Sequence, residues 1–294
     1  MSSTFQAYLK LIRVQQWVKN LFVFIPAFFG EHLLSASVLG SVTLGFLAFS
    51  CWASTVYIIN DYVDIEKDKL HPQKRNRPLA SGKISKKAGG MLALVLLATG
   101  SLIIYYLDNF YFLGATLAYL VLNLLYSFKL KQIAIIDITV IAVGFLLRII
   151  GGGFLGGVVL SKWIIMMSFL LALFLALGKR RDDIVLLNQS GVYMRKSLEG
   201  YNLEFINAAM VFMSSVIVVA YIMYTVSDEV VRRANHDYTY LTSVFVILGI
   251  LRYLQLTLVA QKSADPTKIL LKDPFVLASV LLWLLSNFWM IYLL

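Results

Sequence analysis

An all-α, polytopic membrane helix bundle of about nine transmembrane helices is the fold class that this sequence predicts. Three observations predict it. Of 294 residues, 60% are hydrophobic and only 14% charged, with a mean hydropathy of +0.78, and a water-soluble domain needs more polar surface than that. Nine apolar segments follow one another, near 20–38, 41–60, 89–107, 110–128, 133–153, 162–178, 206–226, 238–258 and 274–294, and a bilayer span needs roughly 20 such residues. Of the 26 Lys and Arg, 22 fall on one side of the resulting topology and three on the other, with Arg148 inside a span. The positive-inside rule then places the N-terminus and the long loops in the cytoplasm and the C-terminus outside. The net charge of +10 therefore speaks for membrane orientation, not for nucleic acid.

The elements can be taken in order. Residues 4–18 put Phe5, Leu9, Ile12 and Gln16 at near-helical spacing, with Trp17 at the interface. This predicts an interfacial amphipathic helix within residues 1–19, ahead of the first span. Lys10, Arg13 and Lys19 precede an apolar run that leads into further spans, so no cleavable signal is read there. Outer connections are brief at 31–37, 108–109 and 156–162, and longer at 227–237. Inner connections at 61–88 and 179–205 are long and polar. No Pro/Ser linker and no internal repeat is found, so residues 1–294 are read as a single integral membrane domain. Cys51 is the only cysteine and sits in an apolar run, which leaves no disulfide within the chain and argues against thiol catalysis. Polar chemistry gathers at one face, unlike a transporter's midplane site.

The second span ends in Asn60-Asp61-Tyr62-Val63-Asp64-Ile65-Glu66-Lys67-Asp68. Continued as one helix, the spacing stacks Asn60, Asp61, Asp64 and Asp68 on a single face. Three carboxylates so placed repel one another unless a cation sits among them. Hard oxygen donors with an amide suit Mg²⁺, which shares its coordination with substrate phosphates. The bland alternative is a solvated helix end. His71-Pro72-Gln73-Lys74-Arg75-Asn76-Arg77-Pro78 follows, so bases suited to phosphate lie beside acids suited to metal. Their alternative role is contact with anionic lipid.

A second polar cluster follows span six in Gly178-Lys179-Arg180-Arg181-Asp182-Asp183, with Tyr201 downstream. Lys179 has helical spacing to Asp182 and Asp183, so the motif either closes on itself as ion pairs or forms a second metal and phosphate half-site. Asp137 and Arg148 share a face of span five. Eleven residues separate them by about 16 Å along the axis, so they do not pair directly. Intramembrane ionisable groups are costly and usually functional; Asp137 is read as a site residue, and Arg148 as either that or a structural pair. Gly151-Gly152-Gly153-Phe154-Leu155-Gly156 fits G-x-G-x-x-G, but it follows a membrane helix and not a strand, so close helix packing is the reading. His32, His71 and His236 have no zinc spacing.

These residues resemble a known group. Asn60-Asp61-x-x-Asp64-x-x-x-Asp68 resembles the first aspartate motif of the UbiA superfamily of intramembrane prenyltransferases. Finer motifs resemble its decaprenyl-phosphate phosphoribosyltransferase branch: Gln16-Trp17-Val18-Lys19-Asn20, His71-Pro72-x-Lys74-Arg75-x-Arg77-Pro78, Phe145-Leu146-x-Arg148, Leu160-Ser161-Lys162-Trp163, Gly178-Lys179-Arg180, Arg195-Lys196-Ser197-Leu198-Glu199-x-Tyr201 and Leu251-Arg252-Tyr253. The branch tends to carry one acid at the place of Asp183, and Asp182 adds another here.

The resemblance implies a UbiA-like fold in the cell membrane and transfer of a phosphoribosyl group from 5-phosphoribosyl 1-diphosphate to a polyprenyl phosphate, for lipid-linked pentose supply to the cell envelope. It implies Mg²⁺ on Asn60, Asp61, Asp64 and Asp68, with the three aspartates as catalytic residues. Lys19, Lys74, Arg75, Arg77, Lys131, Lys179 and Arg180 become candidates for binding phosphates, each of which carries roughly −1.5 to −2. Two rivals remain open: a prenyltransferase moving a polyprenyl chain to an aromatic acceptor, and a non-enzymatic lipid-phosphate carrier.

Overall fold

Every regular element among the described residues of the computed structural model is helical. It describes residues 3–70, 74–190, 196–234, 237–259 and 266–294; His71, Pro72, Arg195, His236 and Lys262 lie outside them. Among the described residues, eight helices are long and apolar enough to cross a membrane: Ala36–Val63, Lys86–Leu107, Phe110–Phe128, Ile136–Gly156, Lys162–Gln189, Leu203–Thr225, Tyr238–Val259 and Pro274–Tyr292. The chain is a multi-pass membrane protein.

The first apolar segment departs from the nine-helix expectation. After helix α1 (Ser3–Ile12), Arg13 takes the left-handed conformation (φ 57°, ψ 48°) and ends the helix. The surface helix is therefore shorter than the predicted 4–18. A 3-10 stretch (Val14–Phe24) and the short α2 (Ile25–Phe29) continue the chain. Because a 3-10 turn rises about 2.0 Å per residue against about 1.5 Å in an α-helix, these 16 residues reach roughly 30 Å, a bilayer core's thickness. The later elements are α3 (Ala36–Val63), α4 (Ile65–Leu70), α5 (Lys86–Leu107), α6 (Phe110–Phe128), α7 (Ile136–Gly156), α8 (Lys162–Ser190), α9 (Leu203–Thr225), α10 (Asp228–Ala234), α11 (Ser243–Leu254), α12 (Pro266–Lys272) and α13 (Pro274–Tyr292). Helix α8 runs past the predicted end at residue 178, because its polar turns are closed by side-chain bonds described below.

The chain divides into two compact units. The first is Met1–Phe128 with Leu147–Val159; the second is Lys129–Leu146 with Leu160–Leu294. Helix α7 gives its first half to the second unit and its last half to the first.

In the first unit, α3 packs chiefly on α5 and also on α6 and the 3-10 stretch, around Phe49, Trp52, Phe112 and Tyr119. The 3-10 stretch is tied to α3 by polar rungs. Trp17 Nε1 donates to Ser54 Oγ at 3.0 Å, Ser54 Oγ donates to the Ile12 carbonyl at 2.8 Å, and Asn20 Nδ2 donates to Ser50 Oγ at 2.9 Å. A Cβ on Gly152 would run into the Val23 carbonyl oxygen, so this glycine lets α7 pack closely on the 3-10 stretch, the kind of role that the sequence predicts for it. In the second unit, α8 packs on α9, and α11 on α13 and α9, around Phe174, Leu177, Ile206, Met210 and Tyr253.

Candidate active site

In the first unit the acidic motif does not form one continuous helix. Helix α3 ends at Val63 and Asp64 caps it with φ −93°, ψ 8°; α4 starts at Ile65. The i to i+4 backbone bonds still bridge the bend, Asp64 N–H to Asn60 O at 3.0 Å and Asp68 N–H to Asp64 O at 2.8 Å. The predicted single stack of four side chains is thus replaced by a bend that turns Asp61 and Asp68 toward a common point. Both are almost fully buried, at 2% and 4% exposure, whereas Asn60 and Asp64 are half-buried.

That point holds a guanidinium. Arg77 Nη1 donates to Asp61 Oδ1 at 2.9 Å and to Asp68 Oδ2 at 2.7 Å. Arg13 donates to the same Asp61 oxygen, and its guanidinium lies 4.8 Å from the centre of the Tyr57 ring. Burying carboxylates without such partners would be prohibitive, and two guanidiniums against two buried acids neutralise the cluster. An apolar cluster of Ala7 and Leu11 from α1, Ile58, Ile65, Leu79 and Ile84 brings α1, α3, α4 and the following loop together here. The loop is set by Arg77 N–H to Lys74 O at 2.9 Å, Ser81 N–H to Arg77 O at 2.8 Å and Ile84 N–H to Pro78 O at 3.1 Å. Lys74 is half-buried and Arg75 exposed on a 3-10 turn (Lys74–Asn76). Among the described residues, no three His, Cys, Asp or Glu side chains gather closely enough to hold a metal ion in this conformation.

Arg148 belongs to the same unit but to another network. It is 4% exposed and donates from Nε to Asn20 Oδ1 at 2.7 Å and from Nη2 to Tyr119 Oη at 2.9 Å. It anchors Asn20, and with it the 3-10 stretch that carries half-buried Lys19.

The second unit gathers Asp137, Arg180, Ser197 and Tyr201. Asp137 is fully buried in the first turn of α7. Tyr201 Oη donates to its Oδ1 at 2.7 Å, Ser197 Oγ donates to its Oδ2 at 3.3 Å, and Arg180 Nε lies 3.5 Å from Oδ2. The Tyr201 hydroxyl also accepts the Ile135 N–H at 2.6 Å. Ile135 sits at φ 67°, a strained conformation for a β-branched residue, costing about 1–3 kcal/mol. Burial, with Asp137 beside it, pushes the Tyr201 hydroxyl well above its ordinary value, so it stays protonated.

An ion pair that closes on the helix is Arg180 Nη1 to Asp183 Oδ2 at 2.6 Å, three residues apart, so Arg180 is a partner of Asp183. Arg181 Nε donates to Asn207 Oδ1 at 2.8 Å. Lys131, Lys179 and Asp182 are half-buried. An open groove of about 400 Å³ lies between Lys129–Ala134 and Lys196–Gly200, with Ser197 in its wall. Asp137 and Arg148, eleven residues apart on α7, each find partners of their own within their unit. Sequence reasoning passed over Arg13, Ser197 and Asn207 as site residues, because each meets its partner across 26 to 60 residues of chain.

The model of the UbiA prenyltransferase family matches residues 23–284 of this chain. The chain belongs to that family. A decaprenyl-phosphate phosphoribosyltransferase of Mycolicibacterium smegmatis is 33% identical over 94% of this UbiA family chain and 89% of its own length. An uncharacterized protein of Sinorhizobium fredii, y4nM, is 42% identical over 60% of the chain, and that stretch is 34% of the relative's length, so the chain spans only about a third of it. A UbiA homologue from Archaeoglobus fulgidus, solved with DMAPP and Mg²⁺, superposes with a TM-score of 0.71 at 22% identity, covering 98% of this chain and 99% of the archaeal one. The architecture of this family member is therefore that of the UbiA fold.

Proposed function

We propose that this UbiA family member transfers the 5-phosphoribosyl group of 5-phosphoribosyl 1-diphosphate to a polyprenyl phosphate of the decaprenyl type, releasing diphosphate, with Mg²⁺ as cofactor. The observation that carries the reading is the near full-length likeness to the Mycolicibacterium smegmatis protein of that name. The side chains agree with it. Two buried carboxylates converging on one nitrogen at 2.7–2.9 Å mark a position built for positive charge, and the donors around it are hard oxygens, as a small hard cation requires. Asp61, Asp64 and Asp68, with the Asn60 amide, would hold Mg²⁺. Bound there, it supplies neutralisation of the charge that develops on the departing diphosphate.

The remaining chemistry falls to the chain. The bond from the sugar C1 to the diphosphate oxygen breaks, the electron pair leaving with diphosphate, and a lipid phosphate oxygen bonds to C1. The acceptor is already an anion, so no general base is required. Phosphate groups need cations instead: Lys19, Lys74, Arg75 and Arg77 serve this in the first unit, and Lys131, Lys179 and Arg180 in the second. Asp137, held by Tyr201 and Ser197, fixes the orientation of Arg180, and Arg148 fixes the segment carrying Lys19. The charge bias of 22 to three supports a cytoplasmic location for these groups in a plasma membrane, where the product would feed lipid-linked pentose to the envelope.

The test is direct. Purified protein in detergent receives labelled 5-phosphoribosyl 1-diphosphate, polyprenyl phosphate and Mg²⁺. Label becomes extractable into organic solvent, and chelator prevents it. No lipid-bound label would sink the proposal; transfer of a prenyl chain from its diphosphate to an aromatic acceptor would replace it.

A further inference from the structure

Arg13 and Arg77 both reach Asp61, but they are held unequally. Arg77 bridges two carboxylates and sits in a turn fixed by three backbone bonds. Arg13 holds a single oxygen, which it shares with Arg77, and extends from a left-handed backbone that L side chains rarely adopt. The buried pair Asp61 and Asp68 is balanced by the two guanidiniums, and half-buried Asp64 adds one negative charge. A divalent ion brings two positive charges and turns the cluster net positive unless one guanidinium leaves, and the connections single out Arg13.

We infer that Arg13 is a resident competitor of the divalent cation at Asp61, displaced when the cation loads, so that loading loosens α1 from α3. The inference rests on the proposed function's placement of Mg²⁺ on the Asp61, Asp64 and Asp68 motif. Arg13 directly follows α1, whose Ile12 carbonyl is caught by Ser54 and whose Ala7 and Leu11 are packed near Ile58. Its opposite face exposes Phe5 and Leu9, suited to lipid. Releasing Arg13 removes an ionic tie from this segment to the motif, and frees a guanidinium for a diphosphate oxygen.

Mn²⁺ alone serves as probe, its free concentration read by electron paramagnetic resonance on full-length protein in detergent. Arg13→Met keeps the stem and removes the competitor, so it binds Mn²⁺ about tenfold or more tightly than wild type; Asp61→Asn abolishes binding. Equal or weaker binding by Arg13→Met, with Asp61→Asn still abolishing it, overturns the competition and leaves the metal reading standing. No saturable binding by either wild type or Arg13→Met overturns the metal reading and the inference together. Wild type alone gives a check that needs no variant: saturating Mn²⁺ speeds hydrogen exchange in residues 3–12, and unchanged protection there overturns the loosening.

Discussion

The Tyr201 hydroxyl donates to Asp137 at 2.7 Å while accepting the N–H of Ile135, two residues earlier and just ahead of helix α7. One oxygen therefore neutralises part of a buried carboxylate and holds a strained backbone. Tyr201→Phe leaves both groups short of a partner and costs about 1–3 kcal/mol, read as a lower melting temperature in detergent. The pH dependence has a definite sign. Because the folded hydroxyl is raised above its ordinary value near 10, it keeps its proton where the unfolded chain has lost it. The stabilisation is complete below about pH 10 and is lost as pH rises beyond it. The wild-type advantage over Tyr201→Phe stays constant from about pH 7 to 9 and shrinks above about pH 10.

Arg77→Ala strips one nitrogen from two buried acids. Asp61 and Asp68 then lose the guanidinium they share while Arg13 still pairs with Asp61, a loss of about 3–5 kcal/mol. Arg77→Lys restores the charge without the planar fork and recovers only part. Added Mg²⁺ raises the melting temperature of Arg77→Ala more than that of wild type, since the ion takes over the vacated charge balance.

Asp61→Asn keeps the shape of the side chain and removes its charge. Phosphoribosyl transfer falls by about a thousandfold or more, while circular dichroism remains that of the folded helices. A variant that retains transfer within about threefold of wild type would separate the acidic motif from catalysis.

Two glycine substitutions give opposite results. Gly152→Ala drives a methyl into the Val23 carbonyl and costs about 1–3 kcal/mol or more. In α5, Gly90 has nothing within 4 Å of a built Cβ, so Gly90→Ala is neutral or stabilises by about 0.5–1 kcal/mol. Thermal unfolding of the two variants side by side checks the packing of α7 against the 3-10 stretch.

Asp273 caps α13 by accepting the Val276 N–H at 3.0 Å and pairs with Arg252 at 2.8 Å. The Arg252 hydrogen bond, against the small penalty of burial, holds its carboxyl below the ordinary range near 3.8. Its contribution is therefore complete above about pH 4 and lost as pH falls through the depressed value. Asp273→Ala costs about 0.5–2 kcal/mol near neutrality, mostly through the cap since exposed pairs add little. Wild type and variant converge in acid.

Hydropathy located eight of the spans to within a few residues at most ends, because apolar length is what a bilayer demands of a helix. It marks the segment near Pro26 as apolar but not as a 3-10 stretch followed by a short helix, since hydropathy is blind to the choice between 3-10 and α rise. It also stopped α8 too early, where Arg180, Asp183 and Arg181 extend the helix by polar bonds instead of apolar burial. The acidic motif was legible as a cluster, since Asp61 and Asp68 are near in sequence. Its bend at Asp64 was not, and neither was the guanidinium from Arg13, 48 residues away, because helical spacing says nothing about contacts that tertiary packing creates. Asp137 stood out as a buried charge; the Ser197 and Tyr201 hydroxyls that satisfy it come from a loop whose course no periodicity encodes.

Along the 3-10 stretch Trp17 and Asn20 are three residues apart, and their partners Ser54 and Ser50 on α3 are four apart, in the reverse direction. Three residues at about 2.0 Å and four at about 1.5 Å both advance about 6 Å. The two helices have matched threads, so rungs recur once per turn of each without slipping. A single residue inserted between Arg13 and Trp17 rotates that thread by a third of a turn and separates Arg13 from Asp61 or Trp17 from Ser54, whereas three inserted residues restore the phase. Length changes in this stretch are thus quantised in whole turns, a constraint that no individual side chain reveals.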